Sequence, residues 1–194
     1  MSLIVVGNAT DSLEELMEPF WQDLEVEEYC EGEVSNEEKQ RFLEYFRNKD
    51  GKKYRSFDKL YAKYGREWNW NRWRKDADGV WREYSTSNPQ MQWDWYEVGG
   101  RWPGRLILKD GVENVHGCSF SWGWTDEQKK KFENIERRTD IAFKKDIANL
   151  DKLTSYAILI NGEWIEIDDE GGLVAPYLEG VSDDALITCV DYHM

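Results

Sequence analysis

Nine of the 11 tryptophans in this chain fall between Trp68 and Trp124. A chain built this way must organise its interior around large rings. Each indole covers roughly 150–250 Å² when buried, so a few of them can anchor a core that is short of aliphatic side chains. The densest run is Trp93-Asp94-Trp95-Tyr96-Glu97-Val98-Gly99-Gly100-Arg101-Trp102. It sets aromatic surface, two carboxylates and a guanidinium beside a backbone step without side chains. Such a run suits a tightly packed turn, and it equally suits a ligand platform in which Trp93, Trp95, Tyr96, Arg101 and Trp102 supply the contacts.

Within 194 residues the periodicities describe one α+β domain. Leu3-Ile4-Val5-Val6 reads as a short buried strand closed by Gly7, and Asp11–Met17 as a helix with acids in its first turn. Asp23–Val34 is a loop or an edge strand. Ser35-Asn36-Glu37-Glu38 is a capping box that opens a helix with Phe42, Leu43 and Phe46 on one face. Ser56 caps a second helix bearing Phe57, Leu60, Tyr61 and Tyr64, with Gly65 as its expected stop, and Trp68–Lys75 reads as a further helical turn. A second capping box at Thr125 predicts a long charged helix through Phe132, Ile135, Phe143, Ile147 and Leu150. Asn161-Gly162 lies between the β-rich segments Tyr156–Ile160 and Glu163–Ile167, the signature of a hairpin with a type I′ turn. Leu186–His193 is a last strand. The expected architecture is a mainly antiparallel sheet with a C-terminal β-hairpin and a helical insertion over residues 35–82.

Charge narrows the function classes. The net charge is −14, which disfavours nucleic acid as the main partner. The first forty residues and the last forty are acidic, whereas 41–82 is basic. The two acidic ends are expected to lie near each other or near the basic middle, since like-charged ends repel in a compact state. Cys30, Cys118 and Cys189 are far apart and form no CxxC, so neither a zinc ribbon nor a redox dithiol is signalled. No apolar run reaches the ~18 residues that a membrane span needs. The pattern reads as a soluble protein of the cytoplasm.

For chemistry, the candidates are Asp94, Glu97 and Arg101 in the aromatic run, with Asp191 and His193 at the end of the chain. Two carboxylates do acid–base work only when a fold aims them at one cleft in different environments. Asp191-x-His193 offers either a base with its orienting acid or two of the ligands of a metal, and His116 with Cys118 is a looser pair. With two histidines and no paired cysteines, no tightly bound metal and no cofactor are expected. Arg101 has no phosphate loop around it, and its expected partner is Asp94, Glu97 or Asp191.

Asn88-Pro89, Trp93-Asp94-Trp95-Tyr96 and Gly99-Gly100-Arg101-Trp102-x-Gly104-Arg105-Leu106 together resemble the signature of an uncharacterised family of proteins encoded by bacteriophages, prophages and other mobile elements. Pro19-Phe20 with Leu24-Glu25-Val26, Asp140-Ile141, Gly162-Glu163-Trp164 and Thr188-x-Val190-Asp191-x-His193 are similar to further stretches of that family. Ser87, Gln90–Gln92 and Tyr192 depart from its wording, and the CxxC insertion of many relatives is absent. The resemblance implies an origin and a bacterial host, not an activity. The leading expectation is an accessory protein that binds a host or phage macromolecule, with a protein as partner. The alternatives are a small enzyme centred on Asp94, Glu97 and Arg101, and a sugar-binding module using tryptophan faces.

Overall fold

A computed structural model of the chain describes residues 1–51, 54, 56–119, 125, 127, 134–168 and 170–194. It is α+β, with mainly antiparallel sheets. The chain divides into two compact units, one formed by Met1–Leu24 with Pro89–Met194 and the other by Glu25–Asn88.

The first unit is built on a six-stranded sheet. Its path runs from Glu163–Glu166 through Ala157–Ile160, Ser2–Gly7 and Leu186–His193 to Trp95–Val98, and Ile141–Phe143 also pairs with Leu186–His193. Ser2–Gly7 and Ala157–Ile160 are parallel, and the other pairs are antiparallel. The two parallel strands are buried on both faces, which explains their unbroken apolar sequences. Ile4, Val6, Ile158, Ile160, Ile187 and Cys189 pack on one face, with Leu106, Leu108 and Ile147. Leu3, Val5, Ala157, Leu159, Val190 and Tyr192 pack on the other, with Met17 and Phe20. Leu13–Met17 is a one-turn helix whose N-cap residue, Ser12, makes no side-chain capping bond, and Pro19 falls in the 3-10 turn Glu18–Phe20 that follows.

The hairpin at Asn161-Gly162 forms as expected. Asn161 has φ 52° and Gly162 φ 76°, the left-handed pair that a type I′ turn requires, and Ile160 pairs with Glu163 across it. The long helix expected beyond Thr125 does not extend as drawn. Thr125-Asp126-Glu127-Gln128 and Phe132 lie largely outside the described residues. Ile135–Arg137 is a 3-10 turn and Ile141–Phe143 a strand. The helical spacing of Ile135, Phe143 and Ile147 is overridden by pairing of Ile141–Phe143 with Leu186–Thr188, which buries Ala142 beside Ile187.

The second unit has its own core. The capping box at Ser35 is formed in both directions, and the helix Asn36–Asp50 ends at Gly51 with φ 65°. Phe42, fully buried, is ringed by Phe46, Phe57, Tyr61, Trp68 and Trp73 at centroid distances of 5.0–6.2 Å. Such ring pairs add about 0.5–1.5 kcal/mol each beyond the area they bury. The second helix runs over Phe57–Asn69, past Gly65. Gly65 is not a stop: a Cβ there would lie 2.7 Å from the Tyr61 ring and 2.9 Å from Asn71 Oδ1, so glycine is what lets both pack against this turn. The expected turn over Trp68–Lys75 is instead the end of that helix followed by the strand Trp73–Lys75. That strand, Trp81–Ser85 and Tyr29–Glu33 form an antiparallel sheet with Trp81–Ser85 in the middle. The acidic segment meets basic partners here: Glu28 pairs with Arg74, Glu31 with Arg72 and Glu33 with Arg82.

Gly162→Ala isolates the backbone cost of the hairpin, because nothing lies within 4 Å of the added Cβ. The substitution is expected to lower stability by about 1–2 kcal/mol in urea unfolding, the cost of a left-handed residue with a side chain. A neutral result would mean that the turn is not held in this conformation.

Candidate functional site

Register brings the sequence-predicted residues together. Leu186–His193 pairs with Trp95–Val98 so that His193 opposes Trp95, Tyr192 opposes Tyr96 and Asp191 opposes Glu97. Opposed residues share a face. Tyr96 and Tyr192 therefore join the apolar core, while Trp95, Glu97, Asp191 and His193 fall on the reverse side. Asp94, Trp95, Glu97, Gly100, Arg101, Asp191 and His193 line one cleft of about 420 Å³. His116 is exposed and is not among its lining residues.

The glycine pair is explained by two buried aspartates. A Cβ on Gly99 would lie 2.6 Å from Asp140 Oδ2, and one on Gly100 would lie 2.4 Å from Asp191 Cβ. Both glycines also have positive φ, 72° and 49°. The chain thus crosses the ends of two carboxylate side chains at a distance that only glycine permits. The Gly99 N–H donates to the Cys189 carbonyl at 2.9 Å, and the Cys189 N–H donates to the Asp140 carbonyl at 2.8 Å, which ties the crossing to the sheet.

Each aspartate is satisfied differently. Asp191, 0% exposed, accepts from Arg101 Nε at 2.7 Å, Arg101 Nη2 at 2.6 Å and the Arg101 backbone N–H at 3.0 Å. Burial pushes its carboxyl up, but the hydrogen bonds and charge of Arg101 outweigh burial and hold it below the usual carboxylate range. Asp140, also buried, is held by backbone groups instead of a guanidinium. It accepts from the backbone N–H groups of Gly104 at 2.5 Å and Ser119 at 2.6 Å, and burial keeps its carboxyl above the usual range. The Cys118 thiol beside it is pushed up to about 12 by burial and by the charge of Asp140, so it is a packed thiol rather than a nucleophile.

Asp94 takes a third arrangement. Its N–H donates to the His193 carbonyl at 2.9 Å, and its Oδ1 lies 3.3 Å from His193 Nδ1. Of the two residues in Asp191-x-His193, one is thus committed to Arg101 and the other to Asp94. Among the described residues no cluster of three or more His, Cys, Asp or Glu is placed to hold a metal.

The aromatic residues of the run separate. The strand begins at Trp95, so the alternation that would set Trp93 and Trp95 on one face does not reach back to Trp93. Trp93 packs against the core with Tyr96, edge to face at 4.9 Å, and its Nε1–H donates to the Met17 carbonyl at 2.9 Å. Trp95 is 51% exposed. Trp102 lies under the Arg105 guanidinium at 5.8 Å. Trp122 and Trp124 lie outside the described residues.

A second groove, of about 570 Å³, adjoins the cleft through Asp94 and Trp95. Trp21, Trp93, Trp95 and Tyr96 supply its rings and Glu14, Glu15, Glu18 and Asp94 its charges. Trp21 stacks on Trp93 at 6.2 Å. Burial and the charge of Glu14 raise the Tyr96 hydroxyl, which stays protonated at neutral pH. Residue type and spacing alone do not mark Glu14, Glu15, Glu18 and Trp21 as groove residues, nor Asp140 as the buried partner of Gly99 and Gly104. One signal was present, since Glu14 and Glu18 are four residues apart just before Trp21, which sets two acids along one side of the chain.

Removing Arg101 tests its hold on Asp191. Its side chain is 60% exposed, so water screens the pair and replaces part of what is lost. Arg101→Ala is expected to cost about 1–2 kcal/mol at pH 7, below the ~3–5 kcal/mol of a fully buried pair. Because the folded-state carboxyl of Asp191 is lowered, this contribution is present above its unfolded value, ~3.9, and is lost as pH falls through the folded one. The difference between wild type and Arg101→Ala in urea unfolding should therefore shrink on acidification and in an Asp191→Asn background. A pH-independent, additive loss would mean that the two residues are not coupled.

Comparison of the chain with known protein families, with characterised proteins and with solved structures finds no match.

Proposed function

We propose that this chain is an accessory protein of bacteriophage, prophage or other mobile-element origin that works in the cytoplasm of a bacterial host by binding a protein partner. The origin rests on the resemblance described above. Its segments Trp93–Trp102, Asp140-Ile141 and Asp191-x-His193 converge on one site, which is what a shared functional or structural demand would require. No helix among the described residues is long and apolar enough to cross a membrane.

The observation that carries the binding reading is the composition of the groove at Trp21 and Trp95. Among the described residues it is lined by four aromatic rings and four carboxylates and by no lysine or arginine. A lysine or arginine side chain suits both halves: its stem lies on the rings and its cation meets ring faces and carboxylates. A basic segment of a partner protein is therefore the expected occupant. The net charge of −14 speeds the approach of such a partner and repels phosphates.

Titration of a Lys/Arg-rich peptide, followed by tryptophan fluorescence, tests this. Glu14→Gln with Glu18→Gln should weaken binding by roughly five- to thirtyfold at low salt, about 0.5–1 kcal/mol per charge, and Trp95→Ala should weaken it independently. Equal affinity for wild type and variants, or no dependence on salt, would sink the reading.

One observation favours a second reading, a small enzyme. Asp94 and His193 form a pair at the rim of a cleft that also contains Glu97 and Arg101. A histidine oriented by a carboxylate is the arrangement of a general base. A screen against chromogenic ester, phosphoester and glycoside substrates decides it. Turnover that is lost in both Asp94→Asn and His193→Gln would replace the binding reading, and turnover that survives them would dismiss the pair.

A further inference from the structure

Unit Glu25–Asn88 gathers its rings around Phe42, and one tryptophan is left out. Trp70 is 79% exposed, and no large hydrophobic side chain described as exposed is more so. It sits at the end of helix Phe57–Asn69 with φ 56° and ψ 27°, followed by Asn71 with φ 63°. Two successive left-handed residues with side chains are costly, and a bulky indole there is a genuine outlier. The geometry is nevertheless fixed by hydrogen bonds: the N–H of Trp70 donates to the Arg66 carbonyl, that of Asn71 to the Gly65 carbonyl and that of Arg72 to the Asn69 carbonyl. An exposed indole in a costly, well-held conformation calls for a role outside the core.

Trp70 lines a cleft of about 290 Å³ with Glu28, Asn71, Arg72, Arg74, Tyr84 and the hydroxyl-bearing run 85–87. Its charged groups are already matched. Arg72 Nη2 donates to Glu31 Oε1 at 2.6 Å, and its Nε–H donates to the Tyr84 carbonyl at 3.2 Å. Arg74 lies 2.5 Å from Glu28 Oε2, with its guanidinium 3.9 Å over the Tyr84 ring. The planar groups are thus held in place, and Glu28, Arg72 and Arg74 each face a counter-charge.

We propose that the Trp70 cleft binds an uncharged pyranose ring of a glycan, stacked on the indole. The argument is one of matching. A pyranose has an apolar face of C–H groups that lies on an aromatic ring. Its edge carries adjacent hydroxyls that pair with planar amide, guanidinium and carboxylate groups. The cleft offers one exposed ring, several fixed planar groups and hydroxyls, and its volume accommodates one or two sugar rings. A phosphate finds both arginines paired, and a cation finds Glu28 paired. A nucleic acid strand, whose bases could also stack on Trp70, is opposed by the net charge of −14. This site is separate from the groove at Trp21 and Trp95, and its test does not depend on that reading.

The experiment uses the full chain and saturation-transfer NMR with glucose, galactose, mannose and N-acetylglucosamine, followed by a glycan array. A ligand of this size in a shallow site should bind with a dissociation constant on the order of a millimolar, and oligosaccharides more tightly. Transfer to the ring protons of at least one pyranose is expected. Trp70→Ala should weaken binding at least tenfold without lowering the denaturation midpoint, since the side chain is largely solvated, and Trp70→Tyr should restore part of it. Trp95→Ala should leave it unchanged. The proposal is overturned if no pyranose binds, if binding survives Trp70→Ala, or if oligo-dT or a Lys-rich peptide engages Trp70 in place of the sugars.

Discussion

The crossing of Gly99-Gly100 over Asp140 and Asp191 is the constraint on which the first unit's site depends. Two carboxylates are buried within the same region, and an uncompensated buried charge is among the most expensive features a domain can carry. The chain solves the problem twice by different means. Asp191 is ionised under a bidentate arginine, and Asp140 is held by backbone N–H groups with its carboxyl raised. Both solutions need the backbone to approach closer than any Cβ allows, which is why two glycines stand together and why Arg101 follows them directly. The arginine's backbone and side chain then reach the same carboxylate.

From this crossing the rest of the site takes its position. Leu186–His193 lies between Ser2–Gly7 and Trp95–Val98 and carries Cys189, Asp191 and His193 on one face, Val190 and Tyr192 on the other. Fixing Asp191 against Arg101 fixes the register of the strand that holds His193 against Asp94. A slip of one residue would exchange the apolar and polar faces of the strand, so register is specified by the core and the site together. The aromatic groove then lies where the run leaves the sheet, with Trp93 turned to the core and Trp95 to solvent.

The two units use tryptophan differently. In the second, Trp68 and Trp73 build a self-contained core around Phe42, while Trp70 points out of it at a matched set of ion pairs. In the first, Trp93 is half core and half groove wall, and its Nε1–H is spent on the Met17 carbonyl. Acid placement follows the same division. Glu28, Glu31 and Glu33 neutralise arginines within their unit, whereas Glu14, Glu15 and Glu18 line a groove in which no described residue is basic. The net negative charge is therefore not spread evenly in its consequences: in one unit it is matched by arginines, in the other it lines a groove.

The hairpin at Asn161-Gly162, the capped helix from Ser35 and the terminal strand were legible in the residues, because turn angles, capping hydrogen bonds and β propensity are local properties. The α+β class followed from their order. Arg101 could be read as needing a carboxylate, since a guanidinium keeps its charge, but three candidates were equal until the strand register selected Asp191. The helix drawn through Phe143 and Ile147 failed for the converse reason: the apolar spacing was local, whereas strand pairing beside Ile187 is not. Gly65 read as a stop because a helix commonly ends at glycine, and only the packing of Tyr61 and Asn71 against it shows otherwise. Asp140, remote in sequence from Gly99 and Gly104, carried no signal that it lies beneath them. Local pattern thus determined the hairpin, the capped helices and the terminal strand, and which residues need partners. The tertiary structure alone decided which partners they have, because contacts between distant segments are set by how two apolar faces of one sheet are filled.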